Sequence, residues 1–122
     1  MVQHRSVIKV ADNSGAKKLQ VIQPLGGSAK RKATLGQIVV AVVKGADPNG
    51  QVQDHEIVKA VMVRTRKERR RADGSYVRFD DNAAVIVDKD GNLRATRVFG
   101  PIAREVRDAG YTKIASLAKE VW

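Results

Sequence analysis

The chain has 122 residues and a formal net charge of +10 at pH 7. With 43% apolar residues, it can bury a core as a single domain over residues 1–122. The absence of cysteine excludes a disulfide scaffold, a thiolate metal site and a cysteine nucleophile. No apolar run is long enough to cross a membrane, and the opening MVQHRSVIKV has no secretory core. The expected place is therefore the cytosol, or an organelle if a transit segment is absent from this sequence.

The apolar residues are mostly Val, Ile and Ala, and stiff branched side chains favour pleated strands. A first strand is expected over 7–10, ended by a tight turn through Asp12, Asn13, Ser14 and Gly15. Strand character resumes over 17–22 and breaks at Pro24 to Ser28, after which Lys30, Arg31 and Lys32 form a basic loop. The run 37–43 reads as a central strand buried on both faces. Asp47-Pro48-Asn49-Gly50 has the right residue for a turn at each place, and a further strand is expected over 57–63.

That strand leads into the densest charge of the chain. Residues 64–78 read RTRKERRRADGSYVR, seven Lys/Arg against Glu68 and Asp73, which is half of the net +10. Apolar runs flank the stretch, so it is expected to be a charged hairpin arm held out by a folded body, turning at Asp73-Gly74 in a type I′ turn. A buried strand follows over 83–87, then a turn at Lys89-Asp90-Gly91-Asn92 and a closing strand over 93–99. Pro101 is expected to open a short helix that buries Ile102 and Val106 and stops at Gly110. Thr112 would cap a last helix through Leu117, completing a short-helix region over 101–118. Many short strands followed by two small helices predict a mainly β fold, a small closed or nearly closed barrel.

Catalytic constellations are weak. His4 lies near the start of the chain and His55 beside acids in a loop, and a lone surface histidine is ordinarily just solvated. Asp80 and Asp81 would point to opposite faces of a strand, so one of them is better placed to pair with an arginine of the arm. Asp88 to Asn92 is no calcium loop: Leu93 stands where such a loop needs Gly, and Phe99 where it needs a bidentate Glu. No phosphate-cradling Gly loop ends in Lys-Ser/Thr, so neither a metal nor a cofactor is expected. Clustered charge of one sign points to a polyanion, against the alternative of a merely solubilising surface. The five aromatics are scattered, with Phe79 and Phe99 expected in the core. Phosphate neutralisation and shape reading are therefore favoured over base stacking.

VADNSGA (10–16), KAVMVRT (59–65), DGSYVRFDDNAAVIV (73–87) and TRVFGPIARE (96–105) together resemble the bacterial-type large-subunit ribosomal protein L-fourteen family, across essentially the whole chain in order. The resemblance implies a five-stranded barrel of the oligonucleotide-binding type, a protruding basic β-ribbon, a small helical C-terminal region and no catalysis. It implies binding to large-subunit rRNA at the subunit interface, bridges to small-subunit rRNA, and neighbours in ribosomal proteins L-three and L-nineteen. It also implies a docking face for a ribosome silencing factor, carried here by Thr96, Arg97, Lys113 and Ser116.

The expected rRNA contacts follow from charge and resemblance together. They are Asn13, Ser14, Lys17 and Lys18 at the first turn; Lys30, Arg31 and Lys32 in the basic loop; and Arg64, Arg66, Lys67, Arg69, Arg70, Arg71 and Arg78 in the arm. Against the family pattern, residues 49–54 carry no Lys or Arg, Lys32 replaces an aromatic, Gln37 an Asp and Lys119 a Pro. The rival class is a free-standing barrel that binds single-stranded nucleic acid, with an enzyme a distant third.

Overall fold

A computed structural model describes residues 2–3, 5–25, 32–88 and 91–122. Five strands close a barrel in the order β2 (Val7–Val10), β3 (Ala16–Pro24), β5 (Ile38–Ala46), β6 (Ile57–Arg64) and β9 (Ala83–Val87). Four of the seams are antiparallel, and the fifth, where β9 meets β2, is parallel. Two small ribbons flank the barrel: β1 (Val2–Gln3) with β4 (Lys32–Ala33), and β7 (Arg69–Arg70) with β8 (Tyr76–Val77). Helices α1 (Arg104–Asp108) and α2 (Thr112–Leu117) end the chain.

Alternation along the strands fills the lumen. Ile8, Leu19, Val39, Met62 and Ile86 point inward, with Ala41, Ala60 and Ala84 between them. A barrel of so few strands is narrow, and alternating large with small side chains lets the interior pack without strain. Register shifts at Val21/Gln23 and at Met62/Arg64 are bulges that bend β3 and β6 enough for closure. A second cluster lies outside the wall, where Val61, Val63, Val85 and Val87 meet Ile102, Val106 and Ile114. The helices therefore cover β6 and β9, and β9 is buried at every residue.

The central-strand expectation for 37–43 needs correcting. Val39, Ala41 and Val43 are buried, but Ile38, Val40 and Val42 are only half-buried, because the helices sit over β6 and β9 instead. The segment 93–99 is not a strand and makes only isolated pairings, Leu93 with Val87 and Val98 with Asp12. Its amides are taken elsewhere: Thr96 and Arg97 donate to Asn13 Oδ1, and Phe99 donates to the carbonyl of Ala11. Both phenylalanines expected in the core lie outside it: Phe99 is 51% exposed, and Phe79 is half-buried against Leu35, Val77 and Ala103.

Helix α1 starts at Arg104 and not at Pro101, since Ile102 pairs in extended form with Val121 and the Ala103 amide donates to Val63. Thr112 is the first helical residue of α2, with no side-chain cap. The hairpin turn also differs from type I′. Asp73 does not take a positive φ; Gly74 alone does, at +89°, and Gly74 N–H donates to Arg71 O while Arg71 N–H donates to Ser75 O. This is a three-residue loop with the glycine in the left-handed position.

Two loops meet back to back through glycines. A Cβ on Gly15, whose φ is +99°, would lie 2.8 Å from Gly50 Cα. Gly74 has nothing within 4 Å of its own Cβ position. Gly15→Ala should therefore cost about 3 kcal/mol, from left-handed strain plus backbone overlap. Gly74→Ala should cost about 1 kcal/mol, from strain alone. Urea unfolding of the two variants checks the difference.

Candidate nucleic-acid interface

The turn after β2 is built around a buried carboxylate. Asp12 Oδ1 accepts from the Ser14 amide at 3.1 Å and the Ser14 hydroxyl at 2.6 Å, and Oδ2 accepts from the Ile86 amide at 2.9 Å. Ser14 is fully buried by this arrangement, so its side chain holds the turn and has no surface to offer. Asn13 is exposed, yet its amide group is committed to Thr96 and Arg97, with Nδ2 donating to Thr96 Oγ1 at 2.8 Å. Lys17 and Lys18 are exposed and make no ion pair among the described residues. Of the basic loop, Lys30 and Arg31 lie outside the described residues, and Lys32 is exposed on β4, lining one groove with Lys67.

The seven arm cations divide into two sets. Arg64 is a strut: its side chain is 12% exposed, Nε donates to Asp81 Oδ1 at 3.0 Å, and Nη1 donates to the carbonyls of Phe99 and Pro101. The arm arginine that Asp81 was expected to engage is this one. Arg71 Nη2 donates to Glu105 Oε1 at 2.8 Å, with the two side chains 16% and 13% exposed. Arg69 Nη1 donates to Leu35 O at 3.2 Å, and its Nε lies 3.7 Å from Glu105 Oε2. The hairpin's inner cations are thus laid onto α1 and not held away from the body. Arg66, Arg70 and Arg78 are exposed and make no ion pair among the described residues; Lys67 has only the exposed Glu68 at 3.4 Å. Tyr76, 63% exposed, stands opposite Arg70 in the hairpin register.

Between hairpin and α1 runs a groove of about 380 Å³, where Arg69, Arg70, Arg71 and Arg104 face Asp73, Glu105 and Asp108. The Asp73 carboxyl is held below its ordinary range by the hydroxyl and amide of Ser75, which donate to it. Away from the arm, Arg94 donates to Glu56 Oε2 at 2.7 Å and to Gln51 O at 3.1 Å, tying the 49–54 loop to the segment after β9. That bond from Arg94 is the main reason the Glu56 carboxyl titrates below its ordinary 4.5.

Thr96 and Arg97 ride beside the buried Val98, and Lys113 beside the buried Ile114, both in the outer cluster. Ser116 Oγ donates to the Lys113 carbonyl one turn back in α2. His4 lies outside the described residues, and His55 is an exposed loop residue 3.6 Å from Asp54. Among the described residues, no group of three His, Asp or Glu side chains converges on a point. Charge counting missed the roles of Asp12 and Glu105. Asp12 had a local signal, since Asp-x-Ser favours a side-chain-closed turn. Glu105 had none, because its partner Arg71 is 34 positions away.

Barrel, pinned hairpin and free surface cations describe a small basic β protein whose conspicuous chemistry is charge display. Over residues 1–122 the chain matches the family model described as ribosomal protein L14p/L23e. A relative from Petrotoga mobilis, named large ribosomal subunit protein uL14, is 61% identical over 122 residues, covering the whole of both chains. The chain belongs to the ribosomal protein L14p/L23e family, a structural and non-enzymatic class.

Two outcomes follow from these ion pairs. Glu105→Gln should lower stability by about 3 kcal/mol, since it leaves Arg71 nearly buried without its counter-charge. Glu105→Gln with Arg71→Met should recover part of that loss in urea unfolding. For Glu56, a lowered folded pKa means stability that is present above 4.5 and lost as pH falls through the lowered value. The stability gap between the protein and Glu56→Gln, followed by thermal unfolding, should therefore be widest near neutrality and close in acid.

Proposed function

We propose that this protein is a structural constituent of the large ribosomal subunit, where it binds large-subunit rRNA by charge and shape. The observation that carries the reading is the division of the arm. Arg64, Arg69 and Arg71 are spent on the fold, while Arg66, Lys67, Arg70 and Arg78 stay at the surface with Lys17, Lys18 and Lys32. A fixed display of surplus cations favours a polyanion, because each phosphate neutralised releases counterions. Arginine adds bidentate contacts, and Tyr76 beside Arg70 adds a face on which an unstacked base can rest.

In this reading the protein works in the ribosome, in the bacterial cytoplasm, with ribosomal proteins L-three and L-nineteen as neighbours. It contributes bridges to small-subunit rRNA at the subunit interface. Thr96, Arg97, Lys113 and Ser116, all exposed, form the face on which a ribosome silencing factor docks. The shared apolar cluster beneath them supports their acting as one surface. Lys30 and Arg31 belong to the rRNA-binding set by charge alone, and Asn13 and Ser14 serve it by fixing the turn that carries Lys17 and Lys18.

Reversing Arg66, Lys67, Arg70 and Arg78 to Glu should leave the barrel folded and abolish incorporation into large subunits, read as loss of comigration in a sucrose gradient. Normal comigration of that variant would remove the arm from the rRNA contact. A wild-type protein found only at the top of the gradient, and binding short single strands stoichiometrically, would favour the free-standing single-strand binder.

A further inference from the structure

Lys9, Lys18 and Lys44 stand directly opposite one another on three neighbouring barrel strands. Lys9 of β2 pairs with Lys18 of β3, and Lys18 pairs in turn with Lys44 of β5. All three are exposed, while the adjoining Ile8, Leu19 and Val43 are buried, so the lysines share the outer face. Neighbouring strands lie about 4.8 Å apart, which makes this a row of three ammonium-bearing chains spanning about 10 Å of wall. Like charges directly opposite weaken a sheet. The next row on this face, Val7, Gln20 and Val42, carries no charge, so the barrel has no general need for one there.

The acids nearby do little to relieve the row. Asp81 reaches Lys9 only at 3.9 Å and is already held by Arg64 at 3.0 Å. Asp54 lies by Lys44, but its Oδ1 accepts from the Gly45 and His55 amides. Lys18, in the middle, has no ion pair among the described residues. The row also has a continuation. Lys9, Lys18 and Arg66 line one cleft with Asp80, Asp81 and Asn82. Asn82 fixes the join, since its Oδ1 accepts from the Arg66 amide and its carbonyl from the Lys9 amide.

We propose that Lys9, Lys18 and Lys44 form a phosphate track, a strip on the barrel wall that takes one stretch of an RNA sugar–phosphate chain and hands it to the hairpin at Arg66. The proposal rests on the rRNA-binding reading above and adds two residues, Lys9 and Lys44, that charge clustering in the sequence did not single out. Lysine suits such a strip, because a compact charge on a flexible stem neutralises phosphates without reading bases. The repulsion that Asp81 and Asp54 leave in the row is relieved when the anion arrives, so the strip gives up stability for binding.

That trade supplies the test. The full-length triple variant Lys9→Gln, Lys18→Gln, Lys44→Gln is compared with the wild type for thermal unfolding. Both are then assayed for filter retention of protein-free large-subunit rRNA over a series of KCl concentrations. The expected result is an unfolding midpoint no lower than wild type, with a plot of log affinity against log salt that is shallower by about 2. The matching Lys→Arg triple should keep the wild-type slope. An unchanged slope in the Gln triple, with a slope lost in Arg66→Gln, Arg70→Gln, would overturn the track and leave the arm reading intact. A clearly lower midpoint would mean the row supports the barrel, and would overturn the track as well. Salt-independent retention by the wild type would overturn both readings.

Discussion

One buried carboxylate carries much of this architecture. Asp12 lies at the end of β2, 5% exposed, and accepts three hydrogen bonds from Ser14 and Ile86. The bond to Ile86 extends the parallel seam between β2 and β9, where backbone pairing has already brought Val10 beside Ala84. The same carboxylate sets the turn that aims Asn13 at Thr96 and Arg97. A carboxylate this deep is tolerated because both of its oxygens accept hydrogen bonds, two of them from backbone amides. The β2–β9 seam and the path of the 93–99 segment thus meet at that one turn.

A second carboxylate governs the charged hairpin. Glu105 accepts from Arg71 and faces Arg69, and its backbone carbonyl sits where a Cβ on Gly36 would be 2.7 Å away. Hairpin, α1 and the loop before β5 are thereby packed as one unit. The arm's charge is partly a matter of folding and partly a matter of display, and the count of arginines in the sequence does not separate the two. Geometry separates them, because a guanidinium that faces two carbonyls and a carboxylate has few donors left for a phosphate.

The barrel was readable where the local pattern is sufficient. Val7–Val10 and Ala83–Val87 begin and end where alternation and turn residues put them. Asp47-Pro48-Asn49-Gly50 closes as its chemistry requires, with Gly50 N–H donating to Asp47 O. The misreadings share a cause, a partner far along the chain. The run 93–99 has strand-like composition, but Asn13 captures the Thr96 and Arg97 amides across 83 and 84 positions. Pro101 is a good first helical residue, but pairing of Ile102 with Val121 keeps the backbone extended there. At the surface, Lys17, Lys18 and Lys32 were readable because an unpaired lysine is exposed by default. Ser14, Arg64 and Arg71 were not, since burial depends on what folds over them.

The parallel seam also sets an order of events during synthesis. β2 leaves the site of peptide synthesis early, yet the residue that completes its seam through Asp12 lies 74 positions later. Until β9 has been made, β2 to β6 can form only an open sheet with two raw edges, the state in which neighbouring nascent chains add to one another. The outer cluster cannot form either, because its helices come later still. A basic chain held in that unfinished form already bears its free lysines on β2, β3 and β5. Like charge on those strands opposes edge-to-edge pairing of one such chain with another.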